Sequence, residues 1–201
     1  MSRIWIPTGI GSSDFTEKKS RFIGEARRVR SAEEARDRIR NLRESHPRAR
    51  HVCWAYVLGA DGSQPGLSDD GEPHGTAGRS ILDPIVGSAL TETLVTVVRY
   101  FGGVKLGTGG LAAAYGRSSR EALEQMPREP LIRRTRIVLS VDYAGYEPLV
   151  RLGRRLDGRV LDERFDSDVR VSIAVPADRR EEFLRGAADL TRGTLIIHPD
   201  P

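Results

Sequence analysis

The chain has 201 residues, of which 38% are hydrophobic and 30% charged, and a formal net charge of +4. This is the composition of a folded globular protein, not of a disordered or fibrous one. One cysteine excludes a disulfide framework and a cysteine-based zinc site, and no apolar run approaches the roughly twenty residues of a membrane-spanning helix.

Residues 2–6 and about 15–29 alternate as strands do, with Phe15, Phe22 and Ile23 as core candidates. Ser31-Ala32-Glu33-Glu34 is a capping box that opens a helix, on which Ala35, Ile39, Leu42 and His46 recur at helical spacing. His51 to Leu58 reads as a strand, and 59–79 as a long polar, glycine-rich loop. A short helix over about 82–89, a strand over 93–101 and a helix over about 108–126 complete a first part. Met126-Pro127 and Glu129-Pro130 mark a linker. Beyond it, strands at 135–143, 159–165, 169–175 and 194–198 and helices at 147–156 and 179–190 give the order β-α-β-β-α-β. That order is the ferredoxin-like split-βαβ pattern. The expected division is therefore 1–130 and 131–201.

The stretch RYFGGVKLGTGGLAAAYG, Arg99 to Gly116, is the most informative in the chain. A glycine-rich loop that ends on a helix start offers unpaired N–H groups and the positive end of a helix dipole, which suits an anion. It is not a P-loop, because no Lys precedes Thr108. Gly107, Gly109 and Ala112 satisfy a dinucleotide fingerprint in form only, since no strand-end acid follows about twenty residues on. Close packing of helix on sheet is the competing explanation of the small residues. Binding is preferred because packing gives no reason for Lys105 in the same loop.

A second unusual loop, Ser68 to Gly78, holds Asp69, Asp70, Glu72 and His74. Carboxylates this dense suit a hard cation or acid–base work, or an ordered turn in which they accept backbone N–H bonds. The spacing matches no EF-hand or zinc helix, so no metal is assigned. Ser68, Asp69, Asp70 and Glu72 stay as a candidate functional loop. His51 and Cys53 share a strand face with Ala55 and Val57, which reads as core and not as a nucleophile and its base.

Charge is uneven. Residues 16–50 hold 12 Lys+Arg against 6 Asp+Glu, the footprint of an acidic partner. Arg36, Arg40 and Arg43 form one helical stripe, read as a solvated face. The expected polyanion contacts are Lys18, Lys19, Arg21, Arg99, Lys105 and Arg117, with amides from Gly107, Thr108, Gly109 and Gly110.

Lys18-Lys19-Ser20-Arg21-Phe22-Ile23, His51 with Trp54-Ala55-Tyr56, Ser68 through Gly78, and Arg99 through Gly116 together resemble the YigZ/IMPACT family, in the right order over about residues 10–125. The second part resembles the small C-terminal domain of the bacterial YigZ-type members. The resemblance implies an α+β protein. Its first domain would be like the second domain of ribosomal protein S-five, a three-layer α/β unit, and its second would be ferredoxin-like. It also implies a role around RNA, ribosomes or translational control, and it brings no catalytic residue and no cofactor. The expectation is a cytoplasmic, non-catalytic protein with RNA, the ribosome or a protein of translation control as partner, and no membrane. Its oligomeric state is left open. Two rivals are a small-molecule or phosphate-ester enzyme using loops 68–78 and 102–110, and a protein-interaction module without nucleic acid.

Overall fold

The structure is a computed structural model that describes residues 4–199. The chain divides into two compact units, Met1–Leu131 and Ile132–Pro201. The first contains β1 (Trp5–Pro7), β2 (Gly11–Glu17), β3 (Ser20–Arg28), α1 (Ala32–Ser45), β4 (His51–Leu58), β5 (Gln64–Ser68), α2 (Gly78–Gly87), β6 (Thr93–Tyr100), α3 (Gly107–Gln125) and β7 (Arg128–Pro130). The second contains β8 (Arg134–Val141), α4 (Tyr143–Arg155), β9 (Arg159–Phe165), β10 (Val169–Pro176), a 3-10 turn, α5 (Arg180–Leu190) and β11 (Ile196–His198). Among the described residues no helix is long and apolar enough to cross a membrane.

The first unit is built on a five-stranded sheet of order β2-β3-β6-β4-β5, with every neighbouring pair antiparallel. The central strand β6 is buried from Thr93 through Arg99, as a strand covered on both faces should be. One face packs on α2 and α3, where Phe22, Ala26, Cys53, Ala55, Val95 and Val97 meet Ile81, Ile85, Ala114 and Tyr115. The other face takes α1 through Val29, Ala35, Leu58 and Leu94. The layers are therefore helix, sheet and helix pair. Helix α1 starts as its capping box requires, with Glu34 N donating to Ser31 Oγ at 3.1 Å. The Glu34 carboxylate returns to Arg30 N at 2.8 Å, one residue earlier than in the standard box.

The second unit is a four-stranded antiparallel sheet of order β11-β8-β10-β9. In its own numbering this is 4-1-3-2, which the split-βαβ arrangement produces. Ile137, Leu139, Val141, Val171, Ile173 and Val175 form a core with Leu149, Leu152, Phe183 and Ala187 of α4 and α5.

The structure departs from the sequence expectation in α4, which begins at Tyr143 and not at 147, and in four elements of the first unit. The stretch 15–29 is not one strand, because Lys18 and Lys19 turn the chain and β2 pairs back on β3 from Glu17↔Ser20 to Gly11↔Ala26. Strand β5, QPGLS, lies inside the loop expected at 59–79; its Pro and Gly hide it, and it survives as an edge strand paired only to β4. The stretch expected as linker includes β7, which pairs with β1 through Trp5↔Pro130 and Pro7↔Arg128. Helix α2 begins at Gly78, four residues before the expected start, because a carboxylate from the preceding loop caps it. Of the strand expected at 2–6, residues 2 and 3 lie outside the described residues.

Candidate nucleic-acid interface

One end of the first unit gathers the β2–β3 turn, the loop after β6, the start of α3 and the 68–78 loop. The turn is the two-residue loop Lys18-Lys19, and both residues sit in the left-handed region, at φ 44° and 67°. A hairpin turn of this kind prefers Asn-Gly, so lysines here carry a conformational cost of about 1–2 kcal/mol each. The turn lies against the glycine loop. A Cβ built on Gly102 would stand 1.9 Å from the Lys19 carbonyl oxygen, so only glycine fits.

Beneath this surface is a buried polar cluster. Arg99 Nη1 donates to Glu72 Oε1 at 2.7 Å, and the Tyr115 hydroxyl donates to the same oxygen at 2.8 Å. His51 Nε2 stands 3.8 Å from it. Arg99 Nη2 and the Gly102 amide both donate to Ser20 Oγ at 3.3 Å. The cluster thus ties β3, β4, β6, α3 and the acidic loop together. Burial pushes the Tyr115 hydroxyl pKa far up, so it stays a donor. Cys53 belongs to this core: its thiol donates to the Asp69 carbonyl at 3.1 Å, and burial pushes its pKa up to about 12. It is a structural thiol, as expected of a protonated buried cysteine.

The acidic loop is an ordered turn. Asp69 accepts from the amides of Gly75 (2.8 Å), Ala77 (2.9 Å) and Gly78 (2.8 Å), which caps α2. Burial raises its pKa, but the three N–H donors outweigh that and hold it below 3.8. Asp70 accepts from the Val52 amide at 2.7 Å and pairs with Arg43, while its amide donates to Ser68 Oγ at 3.1 Å. With Glu72 buried under Arg99, all three carboxylates of this loop are occupied within the fold. His74 is fully exposed, 3.8 Å from Asp69.

The glycine loop behaves differently. Lys105, Gly107, Thr108 and Gly109 are exposed. Helix α3 starts with no side-chain cap and no acid in its first turn. A Cβ on Gly109 would meet nothing within 4 Å, and its backbone is not left-handed, so neither packing nor backbone angle demands glycine there. Packing therefore does not explain this residue. Lys18, Gly110 and Arg117 do come together: with Phe15, Glu17, Leu106, Ala113 and Ala114 they line a groove of about 320 Å³ between hairpin and helix. The Arg117 guanidinium carbon sits 4.1 Å from the centroid of the Phe15 ring at its floor.

Three expected contacts need correction. Arg99 is 5% exposed and bound to Glu72, so it is a structural ion pair and not a surface anion contact. Its alternation on the fully covered strand β6 was the available signal. Arg21 donates through Nε and Nη2 to the two Asp14 carboxylate oxygens, at 2.9 and 2.5 Å, and Arg117 Nε donates to Glu121 at 2.7 Å. Both are exposed, but each already has a carboxylate. Of the expected cations, that leaves Lys18, Lys19 and Lys105 without an ion-pair partner among the described residues; Arg50, over the Phe101 ring at 5.9 Å, is a further exposed cation of this end.

Comparison with known proteins adds the following. Residues 18–123 match the Impact N-terminal domain, and residues 139–194 match a domain of unknown function, DUF1949. The chain is 39% identical over 182 residues to the IMPACT family member YigZ of Escherichia coli (strain K12), covering 90% of this chain and 89% of that protein. An IMPACT family member of Haemophilus influenzae is 37% identical over 182 residues, covering 90% of this chain and 88% of that protein. A crystal structure of a hypothetical protein superposes with a TM-score of 0.73 at 37% identity, covering 100% of this chain and 98% of that one.

Proposed function

The chain belongs to the IMPACT family, and from that premise we propose that it is a non-catalytic, cytoplasmic protein that associates with RNA or the ribosome and influences translation. The observation that carries this reading is the pair of lysines held left-handed at the β2–β3 turn, against the glycine loop that bears Lys105. Strained backbone at an exposed charged tip is kept where the charge is used. The uncapped α3 amides beside it add donors that suit phosphate oxygens. Contacts of this type read backbone and not sequence, so binding is sequence-tolerant and falls with salt. The enzyme alternative loses its acid–base groups, since Asp69, Asp70 and Glu72 are occupied by amides and arginines.

The test is a fluorescence-anisotropy titration of RNA across a salt series, with co-sedimentation on ribosomal subunits in the same buffers. Replacing Lys18, Lys19 and Lys105 together by Ala removes up to three phosphate contacts. The slope of log affinity on log salt should then become shallower by about 2–3. Affinity indifferent to salt, or a triple variant that binds as tightly as the parent, would refute the reading.

A further inference from the structure

The second unit carries 13 Lys+Arg and 12 Asp+Glu over residues 133–201, so its composition shows no basic character. The fold sorts these charges. On β8 and β10 the odd-numbered residues from Ile137 to Val141 and Val169 to Val175 enter the core with α4 and α5. The even-numbered residues face the other way. Strand register places Arg136 across from Ala174 and Arg159, and Ser140 across from Arg170 and Arg164. All four arginines are exposed. The carboxylate these strands place among them is Asp162, whose Oδ2 lies 3.8 Å from Arg164 Nε.

Two details set this face apart from an ordinary solvated surface. Arg164 and Arg170 are directly opposite each other on neighbouring strands. Like charges in that position destabilise a sheet, so the pair needs a reason outside the fold. Between the two arginine rows is a depression of about 210 Å³, floored by Val138 and Ser172 and rimmed by Arg136, Asp162, Arg164 and Arg170. The rows are roughly 13 Å apart, four residues along a strand. Arginine is the side chain best suited to phosphate through its planar fork of donors. The ring these strands put on this face is the His198 imidazole, which Ser140 Oγ holds at 2.8 Å at the far edge of the sheet, so among the described residues of these strands no Phe, Tyr or Trp offers bases a platform between the arginine rows.

We propose that the helix-free face of the second unit's sheet is a separate phosphate-contacting surface that grips the backbone of double-helical RNA. It needs neither the lysine turn nor the glycine loop of the first unit. Duplex RNA offers rows of phosphates and hides its bases, which matches paired rows of arginine with no Phe, Tyr or Trp between them.

The experiment uses the full chain and a labelled RNA duplex of about 20 base pairs, with the unpaired strand, inorganic phosphate and poly-glutamate as competitors. The variants are Arg136→Gln/Arg164→Gln/Arg170→Gln and, separately, Lys18→Ala/Lys19→Ala/Lys105→Ala. The arginine variant should bind duplex at least tenfold more weakly, with a salt slope shallower by about 2–3, and should lose the preference for duplex over single strand. Its melting temperature should stay close to the parent's, because removing a like-charge pair offsets the loss of the Arg136 Nε bond to Ser172 Oγ (2.7 Å). Unchanged duplex affinity and slope in a folded arginine variant would overturn the proposal, whatever the lysine variant does. So would poly-glutamate competing as well as duplex, which would make the face a protein-docking surface, or phosphate alone displacing the duplex at millimolar concentration, which would make it a simple anion site. If only the lysine variant loses binding, the first-unit reading stands and this one falls; if only the arginine variant does, the reverse holds.

Discussion

Two glycine-rich loops in the first unit each deliver the chain to a helix start, and they meet opposite fates. The loop before α2 brings its own anion: Asp69 takes the amides of Gly75, Ala77 and Gly78. The loop before α3 brings a cation, Lys105, and leaves the helix without a side-chain cap or a first-turn acid. By sequence both are runs of Gly with a few charges. The difference shows that a helix N-terminus becomes available to a ligand only when the chain does not satisfy it first.

The comparison is broken most severely at its shared support. Glu72→Ala leaves Arg99 buried without its carboxylate and should destabilise the first unit by about 3–5 kcal/mol in a denaturant titration. Glu72→Gln, which keeps an acceptor, should recover part of the loss. A variant within 1 kcal/mol of the parent would mean that the cluster does not hold the two loops together.

Next is the cap itself. Asp69→Ala should cost about 1–2 kcal/mol, more than an exposed cap would, because three amides lose their acceptor together. The pH dependence has a definite sign. The folded-state pKa of Asp69 lies below its ordinary 3.8, so its contribution is complete above that value and is lost as pH falls through the folded value. Thermal melts of the parent and of Asp69→Ala should therefore differ at neutral pH and converge in acid below about pH 4. A constant gap across that range would refute the assignment.

The converse change makes α3 resemble α2. Thr108→Asp puts a carboxylate in the first turn of α3 and should stabilise the helix by about 0.3–1 kcal/mol. The same charge should weaken RNA binding several-fold, since it occupies and repels where phosphate is proposed to sit. Stabilisation without any loss of affinity would separate the helix start from the binding surface.

An effect on stability alone sharpens the argument about Gly109. With open space around its Cβ position and an ordinary helical backbone, Gly109→Ala should raise stability by about 0.5–1 kcal/mol, read as a melting-temperature increase. A fall in stability would show that the packing account of this loop was right after all.

Local order was legible in the residues. The capping box at Ser31, the strand His51–Leu58 and the βαββαβ order of the second unit each show in patterns a few residues long, and each is present in the structure. The hairpin at Lys18-Lys19 was missed because its turn lacks the Asn or Gly that announces one. Strand β5 was missed because Pro65 and Gly66 oppose it locally, and its pairing to β4 supplies what propensity does not. The charged residues were the least legible. Arg99 and Lys105 flank the same glycine loop in sequence, yet one is buried on Glu72 and the other is exposed.

Sequence by itself therefore determined the family, the element types and the suspicion that a glycine loop and nearby cations form a site. The tertiary structure decided which charges remain available. Whether a cation meets a carboxylate depends on partners far along the chain, such as Glu72 for Arg99, 27 residues away, or the register that sets Arg164 against Arg170. Coulomb attraction depends on distance in space, and only the folded chain sets that distance.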